Sequence, residues 1–269
     1  MRQSDAVFAH IKGLPELSGR LFSHVKADEI RAVGVSTRPR AVEGSYMPCF
    51  MVGYTHAKLL SDSLNVPLVE VSHQQGHVAA SLWSAGRLDL IDRTHLAWHL
   101  SGGTTELLLV EPEGKNVKCT KIGGTIDISA GQLIDRTGQL LELPFPSGKH
   151  LDALSRTANG KELFKVKCTD LEFSLSGVQN KVQQFYAEKK DAAETAAYAL
   201  RCVAYAVKKA TENALQAYPD LEVVFSGGVA SNTMLRQLTA ELNPVFAEPQ
   251  YSTDNALGVA VLAWRMMEG

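Results

Sequence analysis

Two histidines four residues apart, in His73-Gln-Gln-Gly-His77, are the sharpest chemical signal in the sequence. On a helix, residues at i and i+4 share one face, so both imidazoles can reach one ion. Two imidazoles make a partial site, which a carboxylate or another imidazole would complete. Taken alone, the pattern favours the plainer reading of two polar histidines near a helix start. A zinc peptidase would carry Glu directly after the first histidine as general base. Gln74 stands there, so that chemistry is disfavoured. In Tyr251-Ser-Thr-Asp-Asn255, Asp254 lies just ahead of a final helical pattern. Thr253 or Asp254 would by default cap that helix. Asp254 is also the candidate for the third ligand.

Two Ser-Gly-Gly turns form the second signal, Ser101-Gly-Gly103 and Ser226-Gly-Gly228, each after an apolar run. Glycine lets backbone N–H groups approach a phosphate or sugar. Each turn alone reads as an ordinary tight turn, but two of them, the second leading into a helix near Ser231 and Asn232, point to a nucleotide site. Ser231 and Asn232 also suit helix capping. Asp135, in Leu133-Ile-Asp-Arg136, sits within a helical pattern. Facing solvent it is unremarkable, whereas facing a cleft it could accept hydrogen bonds from ribose hydroxyls. Phe145-Pro-Ser-Gly148 is a turn that could pass close to a base or ribose.

The elements that would position these residues follow from periodicity and breakers. Residues 2–25 have apolar positions at helical spacing, interrupted by Gly13 and Pro15, which predicts two short helices or one bent one. Strands are expected over 30–35 and 66–71, with a helix over 51–64 between them. His73–Ser84 reads as a helix with Ser72 as its N-cap. Residues 94–100 and 105–110 flank Gly102-Gly103 as a hairpin, with 117–122 pairing beside them. Helices are expected over 130–141, 150–159, 192–218, 230–242 and 255–267, and strands over 221–225 and 245–248. The sum is an α/β protein, and the recurring Ser-Gly-Gly turns suggest two facing lobes.

Composition narrows the function classes. The chain has 269 residues, enough for one large domain or two modest ones. The formal net charge of −2 argues against a stand-alone nucleic-acid binder, although Lys161, Lys165, Lys167, Lys181, Lys189 and Lys190 could form a local patch. The four cysteines are widely spaced with no CxxC pair, so reduced thiols and a cytoplasmic location are expected. No apolar run approaches a membrane span, and the polar Met1–Asp5 start carries no secretory h-region.

Seven segments in order resemble the tRNA adenosine threonylcarbamoyltransferases, once described as O-sialoglycoprotein endopeptidases. They are Val71-Ser-His-Gln-Gln-Gly-His77, Leu100-Ser-Gly-Gly-Thr104, Asp127 to Asp135, Pro146-Ser-Gly148, Phe173-Ser-Leu-Ser-Gly177, Ser226-Gly-Gly-Val-Ala-Ser-Asn232 and Ser252-Thr-Asp-Asn255. The resemblance implies an actin-like ATPase fold (ASKHA, ribonuclease H-like) of two lobes with the N-terminal lobe incomplete. One lobe would span 1–98 with 250–269, the other 99–249. It implies a divalent metal, iron or zinc, on His73, His77 and Asp254. It also implies adenylate contacts from Leu100, Ser101, Gly102, Gly103, Thr104, Asp135, Gly148 and Asn232. The implied reaction moves threonylcarbamoyl from its adenylate to N6 of adenosine 37 in the tRNA anticodon loop. Small partner proteins, in a hetero- or homodimer formed through 51–64, are implied as well.

The chain departs from the family pattern in several places. It starts at Met1-Arg-Gln-Ser-Asp5, beyond the usual Gly-Ile-Glu-Thr-Ser-like hairpin. Arg38-Pro39-Arg40 replaces Gly-Pro-Gly, Thr104 replaces a histidine, and near Pro146 only Gly148 remains. Each lost hydrogen bond to phosphate would cost about 1.5–3 kcal/mol. These departures keep open a paralogue that binds nucleotide or partner without catalysis. A sugar or acetate kinase of the same superfamily has less support, because no acidic base with a phosphate hairpin is found.

Overall fold

A computed structural model of the chain describes residues 2–252 and 256–268. In chain order the elements are α1 (Gln3–Phe22), β1 (Val33–Arg38), α2 (Pro48–Leu64), β2 (Leu68–Ser72), α3 (His73–Ser84), β3 (His95–Leu100), β4 (Thr105–Glu113), β5 (Asn116–Thr125), α4 (Ala130–Leu140), α5 (Gly148–Ser155), β6 (Cys168–Thr169), β7 (Glu172–Phe173), α6 (Ser176–Lys189), α7 (Ala192–Ala217), β8 (Val223–Ser226), α8 (Thr233–Thr239), β9 (Val245–Phe246) and α9 (Leu257–Met267). They divide into two compact units, one of residues 1–93, 111–119 and 254–269, the other of 94–110 and 120–253.

In the first unit β1 and β2 pair in parallel, Val33 opposite Leu68 and Ser36 opposite Val71. Val33 and Val35 pack on Ala57 of α2, with Tyr54, Leu60, Val66 and Leu68 around them. α9 lies against α3 at close range, because Gly76 and Gly258 face each other there. A Cβ on Gly258 would run into the Gly76 carbonyl, and one on Gly76 would stand 3.1 Å from the Val259 side chain. Gly34 of β1 meets the same helix, its Cβ position lying 3.0 Å from Val259 and 3.1 Å from Ala263. Small residues here set how deeply α9 sits.

The second unit is built on a seven-stranded sheet in the order β6-β7-β5-β4-β3-β8-β9. β3 runs antiparallel to β4 and parallel to β8, and β8 is parallel to β9. Numbered by appearance, the five strands β5-β4-β3-β8-β9 read 3-2-1-4-5, the strand order of the ribonuclease H-like core. Trp98, Leu100, Leu107 and Phe225 of the sheet pack against Val203, Val207 and Ala210 of α7. Trp98 also donates its indole N–H to Thr211 Oγ1 at 2.8 Å, which satisfies the one polar atom of a fully buried ring.

Three sequence expectations need correction. Of the two readings for residues 2–25, two short helices is overturned, since α1 is a single helix with Pro15 inside it. The carbonyl that Pro15 deprives of a partner belongs to exposed Ile11, where water can take over. The helix expected over 230–242 is a 3-10 turn at Gly228–Ser231, then α8, then another 3-10 turn at Ala240–Leu242. Asn232 causes the interruption, with extended backbone (φ −63°, ψ 130°) and a side chain that caps α8 by accepting from Leu235 N–H. Finally, α6 and the short β6–β7 pair lie in a stretch for which the sequence predicts no element.

Glycine substitutions separate tight packing from open surface. Gly258→Ala is expected to destabilise the chain by about 2–3 kcal/mol, because the helix contact must open. Gly13→Ala, whose Cβ meets nothing within 4 Å, is expected to add about 0.5–1 kcal/mol through helix propensity. Urea midpoints at constant m-value measure both.

Candidate functional site

The histidines lie where sequence periodicity puts them. Ser72 caps α3 by accepting from Gln75 N–H at 3.2 Å, and Gln75 returns the bond by accepting from Ser72 N–H at 2.7 Å. Gln75 Nε2 also donates to the Val117 carbonyl at 2.7 Å, which ties the first turn of α3 to the β4–β5 hairpin tip. Gln74 N–H donates to the Pro39 carbonyl at 3.0 Å. In this frame the half-buried His73 and His77 bring their Nε2 atoms within 3.0 Å of each other. Their rings meet edge to face at 4.4 Å between centroids, and Phe50 packs its own ring 5.7 Å from that of His73. Two ligands each about 2.1 Å from one ion lie about 3.0–3.4 Å apart, so this spacing suits a shared metal. Gly76, between the histidines, carries the contact with α9. Asp254, four positions before Gly258, lies outside the described residues, as do Thr253 and Asn255.

In the second unit, residues 100–104 form the turn between β3 and β4. Its own bonds close it: Ser101 N–H donates to the Thr104 carbonyl at 2.8 Å, and Thr104 N–H donates to Ser101 Oγ at 3.1 Å. The Leu100 side chain is fully buried, so only its backbone is on offer. A Cβ on Gly102 or Gly103 would meet nothing within 4 Å, so the space over the turn is open. The N-terminus of α4 presses against the inner side of the turn. Ser129, which caps α4 by accepting from Gln132 N–H, donates its hydroxyl to the Gly102 carbonyl at 2.7 Å. Ala130 N–H donates to Thr105 Oγ1 at 2.8 Å.

One turn further along α4, half-buried Asp135 accepts from Ser147 N–H through Oδ1 at 2.8 Å. Among the described residues its second oxygen has no protein partner. Asp135, Gln139, Glu142, Phe145 and Ser147 line a groove of about 500 Å³. Gly148 opens α5, and its Cβ position would touch only Ile134, at 3.9 Å. α5 carries Asp152, which receives Asn232 Nδ2 and Thr233 N–H on Oδ1 and Thr233 Oγ1 on Oδ2, each at 2.9 Å, with Arg156 at 2.5 Å. Asn232 therefore joins Asp152 to the start of α8. The structure thus links the 100–104 turn, Asp135, Gly148 and Asn232 through α4 and α5.

The second Ser-Gly-Gly turn differs from the first. Ser226 spends its hydroxyl on the Trp98 carbonyl at 2.8 Å. Gly227 has φ +89°, and a Cβ there would strike the Leu100 backbone. Packing thus requires its first glycine, and only Gly228 faces open space.

Two carboxylates escaped sequence reasoning. Asp152 could have been seen as an i,i+4 partner of Arg156. Asp127, the first residue of a segment that resembles the family, has no role of its own in the sequence reading; its carboxylate accepts from the Thr125, Ser174 and Ser176 hydroxyls and from the Ile128, Leu175 and Ser176 N–H groups. Burial pushes its pKa up most strongly of any single influence, yet the Ser174 and Ser176 hydroxyls and the Leu175 and Ser176 N–H groups together hold it well below the usual carboxylate range. The thiols show the opposite behaviour. Burial, with a contribution from Glu113, pushes Cys119 up to about 12. Burial pushes Cys202 up to about 11 despite the Phe164 N–H bond to its sulfur.

The family model described as tRNA N6-adenosine threonylcarbamoyltransferase matches residues 4–261. A protein of that name from Carboxydothermus hydrogenoformans is 31% identical over 268 residues, covering 95% of this chain and 77% of its own length. Another from Kosmotoga olearia is 33% identical over 251 residues, covering 89% and 73%. Among solved structures, HypF of T. kodakarensis aligns with a TM-score of 0.62 at 15% identity, over 81% of this chain and 39% of that one. A full-length HypF in phosphate- and nucleotide-bound form aligns at 0.58 and 16%, over 80% and 38%. The structural matches speak for the fold, and with the ribonuclease H-like strand order they give an actin-like ATPase architecture. The sequence matches show that this chain belongs to the tRNA N6-adenosine threonylcarbamoyltransferase family.

Proposed function

We propose that the chain transfers threonylcarbamoyl from threonylcarbamoyl-adenylate to N6 of adenosine 37 in the tRNA anticodon loop. The observation that carries this reading is the linked set of turn 100–104, Asp135, Gly148 and Asn232 under open space at Gly102 and Gly103. In it, the second oxygen of Asp135 would accept from ribose hydroxyls. The 100–104 turn would offer backbone N–H groups to the acyl phosphate, and Gly148 would let the ligand approach its backbone. The adenosine N6 forms a bond to the carbamoyl carbon, the bond from that carbon to the phosphate oxygen breaks, and the N6 proton leaves with AMP or to water. With Cys119 and Cys202 protonated throughout the physiological range, neither provides a thiolate nucleophile, consistent with direct transfer. The chain would contribute mainly positioning and stabilisation of charge on the departing phosphate.

His73 and His77, with Asp254, would hold a divalent metal, iron or zinc, whose chemistry would be Lewis-acid polarisation of a carbamoyl or phosphate oxygen. Support comes from the 3.0 Å separation of the two Nε2 atoms and from α9 packing on Gly76 between them. tRNA is the substrate, and small proteins of the same modification system are the expected partners, docking near α2. Among the described residues no helix is long and apolar enough to cross a membrane, and we place the activity in the cytoplasm with its tRNA.

Purified protein given threonylcarbamoyl-adenylate and unmodified tRNA is expected to yield threonylcarbamoyl-adenosine by nucleoside mass spectrometry. No product with the expected partners added would refute the transferase reading. Gly103→Val tests the turn. Folding stability should stay within about 0.5 kcal/mol, because a Cβ at this position meets no protein atom within 4 Å. Adenylate affinity should fall at least about thirtyfold, equivalent to 2 kcal/mol.

Metal analysis of the purified chain is expected to find close to one equivalent of iron or zinc. His73→Ala and His77→Ala should each lower metal content at least about tenfold. Retained metal in the double variant would rule the site out.

A further inference from the structure

Asp127 lies on the loop between β5 and α4, two residues before the cap of α4. Its Oδ1 accepts from Leu175 N–H and Ile128 N–H at 2.8 Å each, and from Thr125 Oγ1 at 3.1 Å. Its Oδ2 accepts from Ser174 Oγ at 2.5 Å and Ser176 Oγ at 2.6 Å, and Ser176 N–H reaches both oxygens at 3.3 Å. α6 begins at Ser176 with no side-chain cap of its own, because Leu175 holds the N-cap position. A carboxylate from another segment thus supplies the missing acceptor and the negative charge that a helix N-terminus favours.

The clamp reaches further than α6. From Asp127 the chain passes to Ser129, whose hydroxyl holds the Gly102 carbonyl, and to Ala130, whose N–H holds Thr105. Gly131 then lies so close that a Cβ on it would collide with Gly102 and with the Ser101 carbonyl. The start of α6, the cap of α4 and the 101–104 turn are therefore one mechanically continuous set, and Asp127 is the group that joins its two ends.

We infer that Asp127, with Ser174 and Ser176, is a positioning residue for the transfer. Without touching the substrate, it fixes the cap of α4 against α6, and through that cap fixes the 101–104 turn on which the adenylate is to rest. That last clause depends on the proposed transferase reading, whereas the coupling of Asp127 to the turn does not.

Two measurements on the full chain test it. Asp127→Asn keeps the shape but turns an amide N–H towards hydroxyl and backbone donors. Ser174→Ala with Ser176→Ala removes two donors and leaves the carboxylate in place. The comparison variant is Asp191→Ala, which removes an ordinary cap, the acceptor of Glu194 N–H at 3.0 Å at the start of α7. The first measurement is hydrogen exchange in a peptide spanning 99–107 in ligand-free protein. Asp127→Asn and the double serine variant should each raise exchange there at least fivefold, and Asp191→Ala should leave it unchanged. The second is calorimetric binding of threonylcarbamoyl-adenylate. Asp127→Asn should weaken it at least tenfold, and Asp191→Ala should stay within twofold of the original chain.

Unchanged exchange over 99–107 in both clamp variants would overturn the inference. So would an unchanged dissociation constant for Asp127→Asn, since an ordinary cap would lower the melting temperature and nothing more. If Asp127→Asn does not fold, the serine variant decides by the same two readouts. If the original chain binds no adenylate while exchange still rises, the coupling stands and the transferase reading is the one that falls.

Discussion

α4 can reach the β3–β4 turn only because position 131 has no side chain. A Cβ there would overlap the Gly102 backbone and the Ser101 carbonyl. That close approach brings the Ser129 hydroxyl to the Gly102 carbonyl and the Ala130 N–H to Thr105. With the helix start fixed, Asp135 is carried one turn along to meet Ser147, and Ser147 sets the start of α5 and thereby Asp152. Widening the contact by the radius of one methyl group would shift every later member of this series. Protein interiors are packed too densely to absorb such a change locally.

The glycines of the site divide into two kinds by this test. Gly131, Gly227 and Gly124 are required by protein atoms beside them, the latter two also by positive φ. Gly102 and Gly103 are required by nothing in the protein: their φ values are ordinary and the space above them is open. A glycine pair that the fold does not need is the pattern expected where a ligand comes close to backbone. The two Ser-Gly-Gly turns look identical in sequence, and only the contacts around them separate a packing device from a docking surface.

What the sequence revealed is what local chemistry determines. Ser72 as the cap of α3, the β3–β4 hairpin about Gly102-Gly103, and the long α7 all follow from interactions within a few residues. Asp127 and Asp152 were not legible as hubs, because their partners stand 47 to 49 and 80 to 81 positions away. An aspartate before Ile128 and Ser129 looks like any turn residue until Ser174–Ser176 arrives. For the same reason α6 was missed, since its cap comes from a distant segment rather than from its own sequence. At Pro15 the sequence leaves open two short helices or one bent helix, and the structure has a single helix. A local breaker was overridden because an exposed helix can hand one carbonyl to water.

The departures from the family pattern read differently once the backbone is known. Thr104 in place of histidine leaves the turn closed, because the bonds across it use the Thr104 N–H and carbonyl and not its side chain. Arg38-Pro39-Arg40 keeps its proline, and the Pro39 carbonyl is the atom that receives the first-turn N–H of Gln74 beside His73. Both substitutions change side chains at places where the structure relies on main-chain atoms. Within each unit, therefore, the local geometry of the 100–104 turn and of the imidazole pair rests on main-chain bonds that these side-chain changes leave in place.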